Sequence, residues 1–373
     1  MKFSCDKNLL FDACMTSAKA VPPKSSLPVL EGLLLNAAED GKLTVSGFDL
    51  EIGIETYLDV NVTESGSIVV AAKMFSDILR SVESGEVFIS TEPNSKTLSV
   101  VCGVTNFKIQ YFDSESYPEM PYIANTDTIT LKQSSFLSML RQSVFAMAVT
   151  DSRVALTGAL FEIEENEFTI VCTNTFKLAI RRETIENGTG KNFKIIVPGK
   201  ILNEILRMIS DSDEDIRLGI SDKHIIFEYD NVKVISRLID GNYLNYKGLI
   251  PENYKTNVHV KAKELKKPIE RASILLNDEK VKIPVKLSFV FDSIIVTCRS
   301  STGDTFTDEI GAAIDGANLD IGFNNKYLLD VINACDCDDI VIHLNSPLSS
   351  MSVCPEEGNS FIFMVSPMKI KTE

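Results

Sequence analysis

A short amphipathic pattern occurs three times along the chain, at residues 73–79, 200–206 and 326–332. Each copy reads lysine, three variable residues, an acidic residue and two aliphatic residues, and successive copies begin 127 and 126 residues apart. Apolar residues recur there at positions i, i+3, i+4 and i+7, which form one face of an α-helix. They are Phe75, Ile78, Leu79 and Val82, then Leu202, Ile205, Leu206 and Ile209, then Leu328, Val331, Ile332 and Cys335. The pattern predicts three equivalent amphipathic helices.

A charged face accompanies each apolar face. Its positions are spaced i, i+4 and i+7, so they share one side of a helix. They are Lys73, Asp77 and Arg80, then Lys200, Glu204 and Arg207, then Lys326, Asp330 and Asn333. One such face would be an ordinary solvated helix surface, but three copies at a near-constant spacing indicate repeated domains.

The segments around these helices repeat as well. A turn and an alternating strand follow each helix, and a further helical pattern precedes it, at residues 8–21, 134–147 and 263–276. Pro268 interrupts the last of these patterns, so we expect that helix to start late or to bend. The sequence therefore predicts an α+β fold with three repeated domains, each with two helices packed on antiparallel sheets. The predicted domains are residues 1–125, 126–253 and 254–373.

The formal net charge of −15 argues, taken alone, against binding to a polyanion. The charge is unevenly distributed, however. Windows that cover the six predicted helices contain 13 basic and 7 acidic residues, a balance of +6, which leaves −21 for the rest of the chain. If the helices share one surface, that surface is positive while the rest of the molecule repels polyanions.

Candidate catalytic and metal-binding residues are sparse. The three histidines are isolated, and no dinucleotide-binding motif occurs. Cys335 and Cys337 lie close to His343 and Cys354, which leaves a metal site or a redox pair open, but their spacing is not that of a zinc knuckle. We expect structural thiols in a reducing compartment. With no membrane-length apolar run and no secretory signal, we expect a cytoplasmic protein without cofactor, metal or catalytic activity.

Several segments match one known family in order and spacing along the whole chain. They are MKFS at the N-terminus, KSSLPVLEGLLL (24–35), GFDLEIGIE (47–55), FDSESYP (112–118), IVPGKILNEILRMI (196–209), DGNY (240–243) and SPMKI (366–370). Together they resemble the bacterial DNA polymerase III beta subunit family of sliding clamps. The resemblance implies a homodimer in which two three-domain chains close a six-domain ring around duplex DNA without sequence specificity. It also implies that the ring tethers the replicative polymerase and binds the clamp loader and repair proteins.

The resemblance implies three functional surfaces. The residues that would face DNA are Lys24, Lys73, Arg80, Arg141, Lys200 and Arg207. The pocket that would receive short peptide tails of partner proteins comprises Arg153, Leu156, Thr173, Thr175, Phe176, Leu178, Leu244, Leu249, Asn324, Tyr327, Leu348, Ser350, Met364, Ser366, Pro367 and Met368. The contact between the two chains would use Ile78, Phe107, Ile109, Ile274 and Leu275. Ile78 also belongs to the apolar face of a predicted helix, so a core role and an interface role both remain open for it.

This sequence departs from the family pattern at three pocket positions. Family members often have glycine at the position of Thr175, proline at that of Leu244 and methionine at that of Ser366. An alternative function is a multi-domain scaffold that binds proteins and does not encircle DNA. The positive balance of the helices favours the clamp, because a scaffold has no need of cationic helix faces.

Overall fold

The structure is a computed structural model that describes residues 1–121, 123, 126–186, 189–276 and 283–370. The predicted domain boundary at residue 125 lies outside the described residues. No helix in the part of the chain that the structure describes is long and apolar enough to span a membrane.

The described residues form six α-helices and 26 strands. The helices are α1 Lys7–Ser17, α2 Ala72–Ser81, α3 Gln133–Arg141, α4 Gly199–Met208, α5 Ala262–Leu276 and α6 Asn325–Ala334. The first strands are β1 Lys2–Asp6, β2 Gly32–Ala37, β3 Lys42–Phe48, β4 Ile52–Asp59, β5 Asn61–Glu64, β6 Gly66–Ala71, β7 Glu86–Glu92, β8 Thr97–Cys102, β9 Thr105–Asp113, β10 Asp127–Lys132, β11 Gly158–Glu164, β12 Glu167–Thr173 and β13 Lys177–Thr184. The others are β14 Phe193–Pro198, β15 Asp215–Ile220, β16 His224–Tyr229, β17 Val232–Arg237, β18 Thr256–Lys261, β19 Pro284–Val290, β20 Ser293–Arg299, β21 Thr305–Gly311, β22 Ala313–Gly316, β23 Leu319–Asn324, β24 Asp339–Leu344, β25 Met351–Pro355 and β26 Phe361–Val365.

Each helix begins at the residue directly after a strand, and three strands follow it. The chain is therefore built from six β-α-β-β-β segments, two in each predicted repeat, with β5 and β22 as additional short strands. Within each repeat the first strand of one segment pairs with the second strand of the other. The pairs are β1 with β7, β6 with β2, β10 with β15, β14 with β11, β18 with β24, and β23 with β19. This exchange joins the two segments of a repeat through backbone hydrogen bonds.

The chain divides into two compact units, the first formed by Met1–Ser134 with Arg207–Leu238 and the second by Ser135–Leu206 with Ile239–Glu373. The first unit contains a 13-stranded antiparallel sheet in the order β10-β15-β16-β17-β4-β3-β2-β6-β9-β8-β7-β1-β5. Its helices α1 and α2 pack on this sheet through Leu10, Phe75 and Leu79, which are fully buried. The apolar face predicted for the first repeated helix is thus a core face.

The second unit contains a nine-stranded sheet in the order β14-β11-β12-β13-β26-β25-β24-β18-β22 and a four-stranded sheet in the order β21-β20-β19-β23. Phe136 of α3 packs on Phe161 and Phe168 of the larger sheet, with ring centroids 6.3 and 6.5 Å apart. The pairing of β13 with β26 joins the second sequence repeat to the third by backbone hydrogen bonds. This junction carries Leu178 and Met364 of the candidate pocket, and the segments that flank the two strands carry six more of its residues.

Pro268 does not delay helix α5, which begins at Ala262. Of the two expected alternatives, the late start was therefore wrong, and the bend stays a prediction. The proline removes one backbone donor, but Leu265, Ile269 and Ala272 are completely buried along one face of the helix. Burial of this apolar face stabilises the helix more than one lost hydrogen bond destabilises it.

Candidate functional site

Four predicted pocket residues belong to one aliphatic cluster of the second unit. Leu156, Leu178 and Met364 are 2%, 4% and 5% exposed, and Leu244 is half-buried against them. Leu178 on β13 and Met364 on β26 are direct partners in the antiparallel register. The periodicity of the sequence does not bring Leu178 and Met364 together, because the pairing of β13 with β26 has no local signature; the family resemblance is what assigned both residues to one pocket.

A tight turn before β13 positions the exposed part of the pocket. The Thr173 hydroxyl donates to the Lys177 carbonyl at 2.6 Å and accepts from the Thr175 backbone N–H at 3.0 Å. Asn174 Oδ1 accepts from the backbone N–H groups of Phe176 and Lys177 at 3.0 and 2.9 Å. These bonds hold Thr175 at φ +73° and leave the Phe176 ring 55% exposed. A β-branched residue is strained in this left-handed region, which explains why glycine suits the position in the family.

The segment after β26 lies along this turn. The Ser366 backbone N–H donates to the Phe176 carbonyl at 2.8 Å, and the Met368 backbone N–H donates to the Gly322 carbonyl at 2.7 Å. A side chain at Gly322 would meet the Met368 carbonyl at 2.8 Å, so this close approach requires glycine. Ser366, Pro367 and Met368 are half-buried here.

Helix α6 places an aromatic ring beside the turn. Asn324 is the N-cap of α6, and its side chain accepts from the Tyr327 backbone N–H at 3.2 Å. The Tyr327 ring stacks on the Phe176 ring, with centroids 6.0 Å apart and an angle of 23° between the planes. Two predicted pocket residues from different repeats therefore form one aromatic pair, which we call the aromatic rim.

A partly buried ion pair that the sequence interpretation missed lies next to the rim. The Lys177 ammonium is 2.5 Å from Asp330 Oδ2 and 5.1 Å from the Tyr327 ring centroid. The sequence pattern predicts Asp330 on the charged helix face, but its side chain is only 28% exposed. The one available signal was that the third copy of the helix has Asn333 where the other two have arginine.

The remaining predicted pocket residues are more peripheral. Arg153 is exposed, and its guanidinium donates two hydrogen bonds of 3.1 Å to the Asp151 carboxylate, which also accepts from the Arg153 backbone N–H at 2.8 Å. These bonds hold the pKa of Asp151 below its ordinary value. Leu249 and Leu348 are 51% and 76% exposed, and Ser350 is half-buried. None of these four side chains belongs to the aliphatic cluster as it is described.

All six residues predicted to face DNA are exposed. Lys73 and Arg80 lie on α2, Arg141 is the last residue of α3, and Lys200 and Arg207 lie on α4, while Lys24 is in the loop before β2. Arg80 pairs with Asp77 at 2.9 Å and lies 5.6 Å from the Phe11 ring centroid. The placement of Arg80, Arg141 and Arg207 in the last helical turn also complements the helix dipole.

The residues predicted to join two chains differ in exposure. Ile78 is 7% exposed and belongs to the core of the first unit, against which Phe107 and Ile109 are partly buried. Ile274 on α5 is 76% exposed, and Leu275 is half-buried. Strand β9 pairs with β8 through residues 105–110, but its pairing with β6 covers only residues 111–113. Residues 105–110 thus form an edge with no second partner strand in the described sheet.

The cysteine cluster offers no reactive or metal-binding arrangement in the described part of the chain. Burial is the main cause that raises the pKa values of Cys335 and Cys337, and burial raises the pKa of Cys354 to about 11. A thiol with a raised pKa is a poor nucleophile at neutral pH. Among the described residues, no group of three His, Cys, Asp or Glu side chains is arranged to hold a metal ion.

The paired β-α-β-β-β segments and their antiparallel sheets place the protein in the sliding-clamp class of folds. Three family models match in succession: the N-terminal, central and C-terminal domains of the DNA polymerase III beta subunit, at residues 1–121, 130–245 and 247–369. The chain belongs to the DNA polymerase III beta subunit family. The family and the three-domain α+β fold expected from the sequence are confirmed.

Individual relatives match over nearly the whole chain. The beta sliding clamps of Staphylococcus epidermidis and Staphylococcus aureus are each 29% identical over 378 residues, which cover 99% of both chains. A putative DNA polymerase III beta subunit from Eubacterium rectale is 30% identical, with a TM-score of 0.94 over 99% of this chain and 100% of that one. The DNA polymerase sliding clamp of Bacillus subtilis is 28% identical, with a TM-score of 0.96 over both complete chains.

Proposed function

We propose that the protein is a DNA sliding clamp, in which two chains close a ring around duplex DNA and tether the replicative polymerase. The observation that carries this proposal is the succession of three clamp domains in one chain, matched over 99% of its length by relatives named beta sliding clamp. The names of the relatives mention no catalytic activity, and the role that we propose is not enzymatic. Cytoplasmic location fits this role.

The basic residues would act by neutralising phosphates. Lys24, Lys73, Arg80, Arg141, Lys200 and Arg207 are all exposed. Contacts of lysine and arginine with phosphates carry no sequence information and permit sliding. A closed ring is retained topologically, so these contacts need only offset the repulsion between DNA and a chain with a net charge of −15.

The pocket of the second unit would bind short peptide tails of the replicative polymerase, the clamp loader and repair proteins. Leu156, Leu178 and Met364 provide an aliphatic floor, and the exposed Phe176 ring provides an apolar wall. A few apolar anchors in such a pocket supply most of the binding energy of a peptide. Ser366 places a polar side chain next to this wall, where the resemblance implies methionine, and we expect a correspondingly different peptide preference.

Retention on circular DNA tests the ring. After loading onto a nicked circular duplex by a clamp loader with ATP, the protein should stay bound during gel filtration at high salt. Cutting the circle should release it, because a ring slides off a free end. Equal, salt-sensitive dissociation from circular and linear duplex would support the alternative scaffold function and contradict the clamp.

A further inference from the structure

Two buried cations lie on one face of strand β13. The side chains of Lys177 and Arg181 are 5% and 9% exposed. They are four residues apart, and side chains at even spacings along a strand project from the same face. A cation this deeply buried requires partners that compensate its charge. Lys177 finds its carboxylate on helix α6, whereas Arg181 pairs with Glu183 of its own strand at 2.8 Å and reaches α6 through a further hydrogen bond.

Lys177 contacts α6 directly. Its ammonium is 2.5 Å from Asp330 Oδ2 and donates to the Phe145 carbonyl at 2.8 Å. Asp330 and Tyr327 are three residues apart on α6 and share a helix face. The same ammonium lies 5.1 Å from the Tyr327 ring centroid, within the range of a cation–π interaction.

Arg181 reaches α6 through a buried glutamine. Arg181 Nε donates to Gln142 Oε1 at 2.5 Å, and Gln142 Nε2 donates to the Ala334 carbonyl at 3.1 Å. Gln142 is 2% exposed. Ala334 is the last residue of α6, so its carbonyl is among those that lack a donor within the helix. The two cations therefore hold α6 at two points of one face.

The equivalent residue of the first repeat behaves differently. Asp77 is 50% exposed and pairs with Arg80 on its own helix at 2.9 Å. In the third copy the acidic residue, Asp330, pairs instead with the buried Lys177, next to the aromatic rim. The departure from the repeat indicates a task specific to this helix.

We propose that Lys177 and Asp330 are positioning residues that set the aromatic rim of the peptide pocket. Their ion pair holds α6 against β13, so that Tyr327 stays stacked on Phe176 in the geometry that a bound peptide meets. The inference rests on the proposed function, because it concerns the same pocket. Without Asp330 the buried ammonium loses its counter-charge, and α6 shifts to let water or another acceptor reach it.

Peptide affinity tests this role. The probe is a fluorescently labelled tail peptide of a bacterial replicative polymerase, measured by anisotropy. We expect Asp330→Asn to weaken binding at least tenfold. The matched control is Asp320→Asn, which removes the carboxylate of an exposed pair with Lys286 at 3.4 Å in the same unit and should change affinity less than twofold. Wild-type affinity in Asp330→Asn overturns the inference.

A reporter distinguishes positioning from a purely structural role. The chain has no tryptophan, so Phe176→Trp introduces a single tryptophan, which can be excited selectively, into the rim. Adding Asp330→Asn should shift its emission to longer wavelength in the folded protein, because the ring loses its stacking partner, while adding Asp320→Asn should not. Unchanged emission overturns the inference, even if the urea midpoint falls.

A second variant covers the case in which Asp330→Asn does not fold. Lys177→Met with Asp330→Leu replaces the ion pair by an apolar pair, which buried sites often tolerate. It should fold yet bind the peptide at least tenfold more weakly, since no directional bond places α6. Wild-type peptide affinity in this folded double variant would contradict the positioning role of the ion pair and would leave the proposed pocket unaffected. Absence of peptide binding by the wild-type protein would instead remove the pocket, and the inference with it.

Discussion

Leu178 of β13 lies directly opposite Met364 of β26 in the nine-stranded sheet, and both side chains are buried in one aliphatic cluster. This register joins the second sequence repeat to the third, so the pocket floor exists only when both are folded. The aromatic rim has the same dependence, because Phe176 and Tyr327 come from the same two repeats.

The pocket floor can be tested by truncation of Met364. Met364→Ala should cost about 2–5 kcal/mol of unfolding free energy and reduce polymerase-peptide binding at least tenfold, measured by calorimetry. Combined with Met368→Ala, it should abolish binding while the dimer remains. Met139→Ala is the control, since Met139 is completely buried in α3 outside the cluster. It should cost similar stability without loss of peptide affinity, and equal losses in both variants would remove Met364 from the pocket.

The strained turn predicts a stabilising substitution. Thr175→Gly should raise the unfolding free energy by about 0.5–1 kcal/mol in urea titrations, because glycine adopts φ +73° without the steric cost that threonine has. Thr130→Gly, at an exposed position of strand β10, should instead destabilise the protein. If Thr175→Gly is also destabilising, the turn is not strained.

The buried carboxylate of Glu162 predicts a pH dependence of stability. Burial alone would raise the pKa of Glu162, but hydrogen bonds from Lys194 and Tyr246 and the charge of Lys247 outweigh it and lower the pKa. A carboxyl whose pKa is lower in the folded than in the unfolded chain stabilises the fold above the unfolded pKa, about 4.3. This contribution is lost as the pH falls through the lower, folded value.

Glu162→Gln should therefore flatten the dependence of the urea midpoint on pH between 7 and 3, and lower the midpoint at pH 7. Glu164→Gln removes an exposed neighbouring carboxylate that lies 3.4 Å from Lys247 and should leave the steepness close to that of the wild type. If the urea midpoint of Glu162→Gln depends on pH as steeply as that of the wild type, the ionisation of this carboxylate is not linked to folding.

The basic residues predict a salt effect. Lys200→Ala should reduce the slope of log affinity for duplex DNA against log salt by about 0.9, as expected when one phosphate contact is lost. Lys42→Ala removes an exposed lysine from strand β3, outside the predicted helices, and should not change the slope. A slope that is unaffected by Lys200→Ala would exclude this lysine from the DNA-facing surface.

The proposed ring predicts a dimer whose interface is stabilised by the exposed apolar residue Ile274. The mass in solution should be twice 41.2 kDa by light scattering, and Ile274→Asp should shift it towards the monomer, since a buried unpaired charge is costly at an interface. Phe291→Asp changes a residue of similar exposure, 79% against 76% for Ile274, and should leave the dimer intact. A wild-type monomer would contradict the ring itself.

The sequence alone determined the helices and their repetition, because helical periodicity is a local property of the chain. Phe75, Leu202 and Leu328, which mark the repeated apolar face, are all completely buried. The resemblance also identified pocket residues such as Leu156, Leu178, Leu244 and Met364, which the structure brings into one cluster.

Only the tertiary structure decided which strands exchange between segments, because strand pairing depends on contacts distant in sequence. The structure also shows that Asp330, predicted on the surface of a helix, is the partner of Lys177. It further shows that the backbone of Thr175 lies in the left-handed region. Helix α5 includes Pro268 for a similar reason. The sequence pattern shows only that proline disfavours a helix locally, whereas the burial of the helix against the rest of the unit outweighs this preference.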